Sequence, residues 1–272
     1  MSSVKLFEEY LSRRKSSHTR KMYMMIVEKF MKFLEENGLS LDKLSLSHVE
    51  MFLSTLSVSD RSLSLYSYAI SSFLNFIGKP ELAALVPVTK YSISEPKWLP
   101  RREIFNIIAR VKDPKDKVML ETAYELALRV GEVVNIKWSD IDFENKTITI
   151  ERLKKKKKEK KVKPVSDDLL EKIKKLPRVS EYVFPSYGGK GYGGWHKMST
   201  QYAEKVFRDA AKKAGYEGYT FHSLRHSKST EVAAKTNGNI VEICKVTDHD
   251  DPRNVLIYVH IAMEHLRDIM GK

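Results

Sequence analysis

A chain of 272 residues with 42% hydrophobic content is long enough for one large domain or two modest ones, which excludes a disordered or fibrous protein. Lysine and arginine total 48 against 35 acids, a formal net charge of +13, so a polyanion is the first partner to consider. No apolar run approaches a membrane span, the opening MSSVKLFEEYLSRRK lacks the apolar core of a secretory signal, and a single cysteine, Cys244, excludes an internal disulfide, so a cytoplasmic protein without a membrane partner is expected.

Residues 1–85 read as a helical domain of four helices. The first, over 4–14, repeats Leu6, Phe7, Tyr10 and Leu11 at helical spacing; Ser17 is placed to cap the next, over 18–37, whose stripe is Tyr23, Ile26, Val27, Phe30, Phe33 and Leu34, with Gly38 as its stop. Helices over 47–56 and 60–77 complete the set. The aromatics belong to the core, whereas Arg13, Arg14, Arg20, Lys21 and Arg61 stand among serines on the other side, where they suit phosphate contacts or a plain solvated face.

Residues 86–100, with three prolines and no sustained period, read as a linker to a second domain over 101–272. That domain begins with helices over 101–111 and 115–128 and a short one near 132–137. A hairpin turning at Asn145 and Lys146 and a third strand over 162–165 make a small antiparallel sheet. Helices follow over 167–176, 199–214, 221–235, 240–246 and 252–270, so the fold class is mainly α with one small sheet. Residues 1–90 hold 12 bases and 9 acids, which leaves +10 of the net +13 to the remainder.

Three segments carry chemistry. In TFHSLRHS, residues 220–227, Thr220 is placed to cap a helix whose second turn sets His222 and Arg225 three apart on one face, a pocket for a phosphate beside a helix start. Taken alone, His-x-x-Arg is a common surface pattern. In TDHDDPRNVLIYVH, residues 247–260, Asp251 and Pro252 suit a helix start, and Tyr258, one tyrosine of 13, falls near its second turn. In ELALRVGEVVNIKW, Arg129 ends a helix just before Gly131 and Glu132, and serves either a structural salt bridge or a second phosphate clamp.

Taken in order, ALRVGE, FHSLRHS, and His249 followed nine residues later by Tyr258 resemble the boxes of the tyrosine recombinases and integrases, in particular the compact Xer-like recombinases of bacteria and archaea. SHTRKMYMMIVEKFMKFL is similar to that family's core-binding domain, so the resemblance spans nearly the whole chain. It departs from the pattern at Asp248, where the family usually has glycine, and at Lys228, where a small residue is usual. The family's catalytic lysine lies in the segment ERLKKKKKEKKVKPV; counting from the first strand points to Lys154, and counting back from Pro164 points to Lys156. The rest of the run, with Lys155, Lys157 and Lys158, reads as a phosphate-attracting hairpin tip.

The resemblance implies that Tyr258 attacks a DNA phosphate to give a 3'-phosphotyrosine and a free 5'-hydroxyl. It implies that Arg129 and Arg225 grip the non-bridging oxygens and that His222 transfers a proton or hydrogen-bonds the phosphate. His249 would bind a phosphate oxygen, the hairpin lysine would protonate the leaving oxygen, and Glu132 would orient the pocket. Neither cofactor nor metal is expected, and SYGGKGYGGW, residues 186–195, lacks the GK[ST] ending of a nucleotide loop and reads as a mobile connection near DNA. The partners implied are double-stranded DNA at a specific site and copies of the same chain in a tetramer, with a tail over 261–270 that docks on a neighbour or packs in cis. The role implied is integration and excision or the resolution of chromosome dimers. The competing readings are DNA relaxation of the type IB topoisomerase kind and an inactive DNA-binding homologue.

Overall fold

The computed structural model describes residues 3–91, 95–154, 157–188 and 193–271. The chain divides between residues 94 and 95 into two compact units. The first holds α1 (Ser3–Arg14), α2 (Ser17–Glu36), α3 (Leu46–Ser54), α4 (Asp60–Phe76) and α5 (Pro80–Leu85). Its core is aromatic, with Phe7, Phe30 and Phe73 fully buried and the rings of Phe7 and Phe73 meeting edge to face at 5.2 Å. Gly38 stops α2 at φ +63°, a conformation in which a β-carbon is costly.

Two details differ from the expectation. Ser16 rather than Ser17 caps α2, because Ser16 is the extended residue whose Oγ accepts the Thr19 N–H at 3.2 Å. A fifth helix, α5, forms where four were expected; Pro80 starts it and Ala83 is buried, but its 6 residues are too few for an apolar period to show.

The second unit runs α6 (Arg101–Ala109), α7 (Pro114–Glu125), α8 (Val130–Val133), β1 (Ile141–Asp142), β2 (Thr147–Lys154), β3 (Lys157–Pro164) and α9 (Asp167–Lys174). It continues with β4 (Pro185–Tyr187), β5 (Trp195–Lys197), α10 (Thr200–Lys213), α11 (His222–Lys235), α12 (Ile240–Thr247) and α13 (Leu256–Met270). The main sheet is antiparallel in the order β1-β2-β3, with Ile148 opposite Lys163 and Arg152 opposite Glu159. Alternation along β2 puts Ile148, Ile150 and Arg152 on the buried face, and direct cross-strand pairing puts Lys163 there too. β3 is longer than the strand expected over 162–165, because its backbone pairs with β2 whatever side chains it carries.

Segment 186–195, expected as a mobile connection, has ends that pair: β4 and β5 are antiparallel, and Tyr187 meets Trp195 edge to face at 5.3 Å. The helix expected over 252–270 divides into a 3-10 turn at Pro252–Val255, capped by Asp251, and α13. The core of the unit joins Ile104 and Ile107 of α6, Leu120 of α7, Ile148 and Ile150 of β2, Phe207 of α10 and Leu224 of α11. A smaller cluster of Val232, Ala233, Ile243, Val255, Tyr258 and Ala262 ties α11, α12 and α13 together, with Cys244 packed against it. The start of α13 therefore packs on α11 through Tyr258 and Ala262. Among the described residues no helix is long and apolar enough to cross a membrane.

Candidate active site

Helix α11 is the pivot of the site. Thr220 does not cap it through its side chain; instead Ser223 Oγ accepts the Thr220 N–H at 3.2 Å, and the Ser223 N–H donates to the Thr220 carbonyl at 2.8 Å. His222 is consequently the first residue of α11, in its first turn rather than its second. Arg225 stands three residues on and is 1% exposed. Its guanidinium donates from Nη1 to the Ala127 carbonyl at 2.7 Å and from Nη2 to the Asp248 carbonyl at 3.4 Å. Both acceptor residues are left-handed, Ala127 at φ +52° and Asp248 at φ +51°. This conformation costs a residue with a β-carbon about 1–2 kcal/mol, and here it accompanies two carbonyls bound to one buried cation. The helix expected to reach residue 128 stops at Glu125 for this reason.

Arg129 lies at the cap position of α8 and is tied twice to Glu132, its N–H donating at 2.8 Å to one carboxylate oxygen and Nη1 donating at 2.9 Å to the other. Its side chain remains 42% exposed, so the rest of the fork is open to a ligand. Glu132 also accepts from Arg152 Nε at 3.3 Å. Burial, followed by repulsion from Arg129, lowers the Arg225 pKa to about 10, which leaves it charged at neutral pH.

Three imidazoles surround these guanidinium groups. His222 and His226 lie edge to face with ring centres 4.4 Å apart, and His226 Nδ1 is 2.8 Å from the Tyr258 hydroxyl. The His249 ring centre is 5.6 Å from that of Tyr258, and its Nδ1 is 2.6 Å from Thr247 Oγ1. Burial first, then the charges of neighbouring His222 and Arg225, lowers the His226 pKa to about 4. Burial, then Arg225 and Arg129, lowers that of His249 to about 3. His222 shifts the same way for the same two kinds of cause, although the residue is exposed. All three are therefore neutral at physiological pH. Tyr258 is 3% exposed; burial raises its pKa, while Arg225, a Ser229 hydrogen bond and Arg129 pull it back.

The fold thus gathers Arg129, Glu132, His222, Arg225, His249 and Tyr258 from α8, α11, the α12–α13 connection and α13. Lys154 ends β2 opposite Lys157, and of Lys154, Lys157 and Lys158 the backbone alone is described. Lys155 and Lys156 lie outside the described residues. On the first unit Arg13, Arg14, Lys21 and Arg61 are exposed and Arg20 is half-buried, with Arg14 4.7 Å above the Tyr10 ring.

Three site residues escaped the reading of the sequence. His226 was in view, four residues beyond His222 and so on the same helix face. Arg152 shares the parity of Ile148 and Ile150. Lys163 is also buried, with Nζ 2.7 Å from Asp248 Oδ2 and donating to the Val246 carbonyl at 2.6 Å; burial lowers its pKa and Asp248 opposes the shift. Chemically, two guanidinium groups and neutral imidazoles around a shielded phenol are groups suited to receive a tetrahedral oxyanion, with a hydroxyl beside them.

The sequence profile of the Phage integrase family matches residues 97–265, and that of the phage integrase N-terminal SAM-like domain matches residues 4–79. Tyrosine recombinase XerA of Thermococcus onnurineus is 30% identical over 277 aligned positions, covering 99% of this chain and 94% of that protein. The XerH site-specific recombinase, solved on its difH substrate before cleavage, superposes with a TM-score of 0.73 at 17% identity, covering 100% of this chain and 85% of that one. Lambda integrase, solved as a tetramer on a Holliday junction, gives a TM-score of 0.71 at 18% identity, covering 94% and 76%. With its own fold and the order of its boxes in agreement, the chain belongs to the phage integrase family, the tyrosine recombinases.

Proposed function

We propose that this tyrosine recombinase breaks and rejoins double-stranded DNA at a specific site through a bond between Tyr258 and a 3'-phosphate. The observation that carries the reading is the Tyr258 hydroxyl lying 2.8 Å from a neutral imidazole nitrogen of His226, beside a buried guanidinium. In the forward step His226 Nδ1 takes the phenol proton, the Tyr258 oxygen bonds to phosphorus, and the bond from phosphorus to the 5'-oxygen breaks. Arg225 and Arg129 meet the charge on the non-bridging oxygens, with His222 and His249 as hydrogen-bonding partners and Glu132 holding Arg129 in place. Lys154 or Lys156 delivers the proton to the leaving 5'-oxygen. Attack by a 5'-hydroxyl reverses these steps and returns the proton to the phenol. The phosphotyrosine keeps the energy of the phosphodiester, so rejoining consumes no nucleotide.

In this reading the helices of residues 1–85 clamp the duplex through Arg13, Arg14, Arg20, Lys21 and Arg61, residues 86–100 link, and residues 101–272 perform the chemistry, with Lys155, Lys157 and Lys158 on phosphates. Four copies assemble on paired sites, a reading supported by the tetrameric lambda integrase complex. The reaction takes place in the cytoplasm, where the DNA is.

The test is a pool of nicked duplexes with randomised cores, in which release of a short fragment traps a covalent complex. The parent forms an adduct that survives denaturation and Tyr258→Phe forms none; an equal adduct from Tyr258→Phe refutes the assignment. Relaxation of plasmids irrespective of site would favour topoisomerase action instead.

A further inference from the structure

Asp248 and Asp250 flank His249 in the chain, and each faces a cation of the hairpin sheet. On one side, Asp248 Oδ2 is 2.7 Å from Lys163 Nζ on β3, with the lysine side chain 7% and the aspartate side chain 10% exposed. On the other, Asp250 Oδ1 is 3.6 Å from Arg152 Nη1 on β2. Lys163 also donates to the Val246 carbonyl at 2.6 Å, so two of its three ammonium donors hold the end of α12. Arg152 reaches Glu132, and through it Arg129. Asp248 is itself left-handed at φ +51°, a position that favours glycine, and its carbonyl is one of the two that hold Arg225. A glycine would make the same turn at lower cost. What aspartate adds is the carboxylate, and a nearly buried ammonium lies against it.

We propose that Lys163 and Arg152 are positioning residues, a two-point clamp that fixes the His249 segment and the Asp248 carbonyl behind Arg225. The inference rests on the assignment of His249 and Arg225 to the phosphate. With Lys163 removed, the turn at Asp248 keeps the 3.4 Å bond from Arg225 and the Thr247 contact to His249 but loses its direct tie to β3, so both the imidazole and the guanidinium lose their main reference to the sheet. Displacements of the order of 1 Å at groups aligned on a reacting phosphate cost up to about 100-fold in rate.

The experiment measures single-turnover adduct formation at saturating nicked duplex. Lys163→Met is expected to slow the adduct about 10–100-fold with duplex Kd within about twofold of the parent, and Lys163→Arg to recover most of the loss. In a His249→Ala background, Lys163→Met should cost clearly less than it does in the parent, because one of the two groups it positions is already gone. A purely structural role would lower Tm and leave the rate per folded molecule, and so the coupling to His249, unchanged. Should Lys163→Met fail to fold, the pair Lys163→Met/Asp248→Gly removes both charges and keeps a residue suited to the turn; it too should be slow, and a parental rate in either variant overturns the clamp. Full multiplicative loss on top of His249→Ala overturns it as well. So does rescue of Lys163→Met by a sulfur leaving group, which needs no proton and would make Lys163 the acid. If the parent forms no adduct, or Tyr258→Phe forms the same one, the functional assignment fails and the clamp fails with it; if Tyr258→Phe is dead and the Lys163 variants cleave normally, the clamp alone fails.

Discussion

Acid should destabilise this protein through His226 and His249 in particular. An imidazole whose pKa is lower in the folded than in the unfolded chain binds its proton first in the unfolded chain, so stability is intact above the unfolded value and falls as pH drops towards the folded one. The unfolded value is about 6.5, and the folded values are about 4 for His226 and about 3 for His249. Between about pH 7.5 and about pH 5 both folded rings stay neutral, so the size of the loss is set by the unfolded chain. It comes to about 1–2 kcal/mol per histidine once water at the ring edges is allowed for, and about 2–4 kcal/mol for the two. His222, shifted in the same direction, adds to it. Urea melts at the two pH values read this loss directly, and His226→Gln and His249→Gln should each remove about 1–2 kcal/mol of it. Sulfate or a bound duplex should also shrink the loss, since an anion against Arg225 and Arg129 lets the rings hold protons. If the double variant loses as much stability on acidification as the parent, the histidines are not held neutral and the electrostatic picture of the pocket is wrong.

Arg225→Lys puts one nitrogen where the fork reached two carbonyls, at Ala127 and Asp248, and should slow cleavage by about 100–1,000-fold with little change in duplex binding; a loss below about tenfold would contradict its role. Glu132→Gln turns a carboxylate that accepts from Arg129 and Arg152 into a group with a donor facing them, so adduct formation should fall about 10–100-fold, and wild-type rates would show that Arg129 needs no support. Ser227→Ala strips the Leu99 amide of its buried acceptor at 2.8 Å and should cost about 1–3 kcal/mol in urea melts, with no change in cleavage per folded molecule.

The helices were readable because their burial follows the apolar period: in α2 the stripe of Tyr23, Ile26, Val27, Phe30 and Leu34 is the face that packs inward. Elsewhere tertiary demand overrides local preference. Ala127 stands among leucines, good helix formers, yet turns left-handed in the position that offers its carbonyl to Arg225, and Asp248 does the same where glycine would be cheaper. The arginine, histidine and tyrosine boxes stood out through order and spacing, and the site assembles them. Its supporting cations did not, because the lysines at 154–158 have no period from which to count a register, and the placement of Lys163 opposite Ile148 follows only from the pairing of β2 with β3. The hydrogen bond between His226 and Tyr258 joins residues 32 apart, which helix spacing alone cannot reveal.

A covalent bond between DNA and one phenol oxygen can be located by mass spectrometry of the protease-digested adduct. The expected product is a nucleotide attached through its 3'-phosphate to Tyr258 in the peptide NVLIYVH, with a free 5'-hydroxyl on the released strand. Attachment at any other residue, or through a 5'-phosphate, would contradict it.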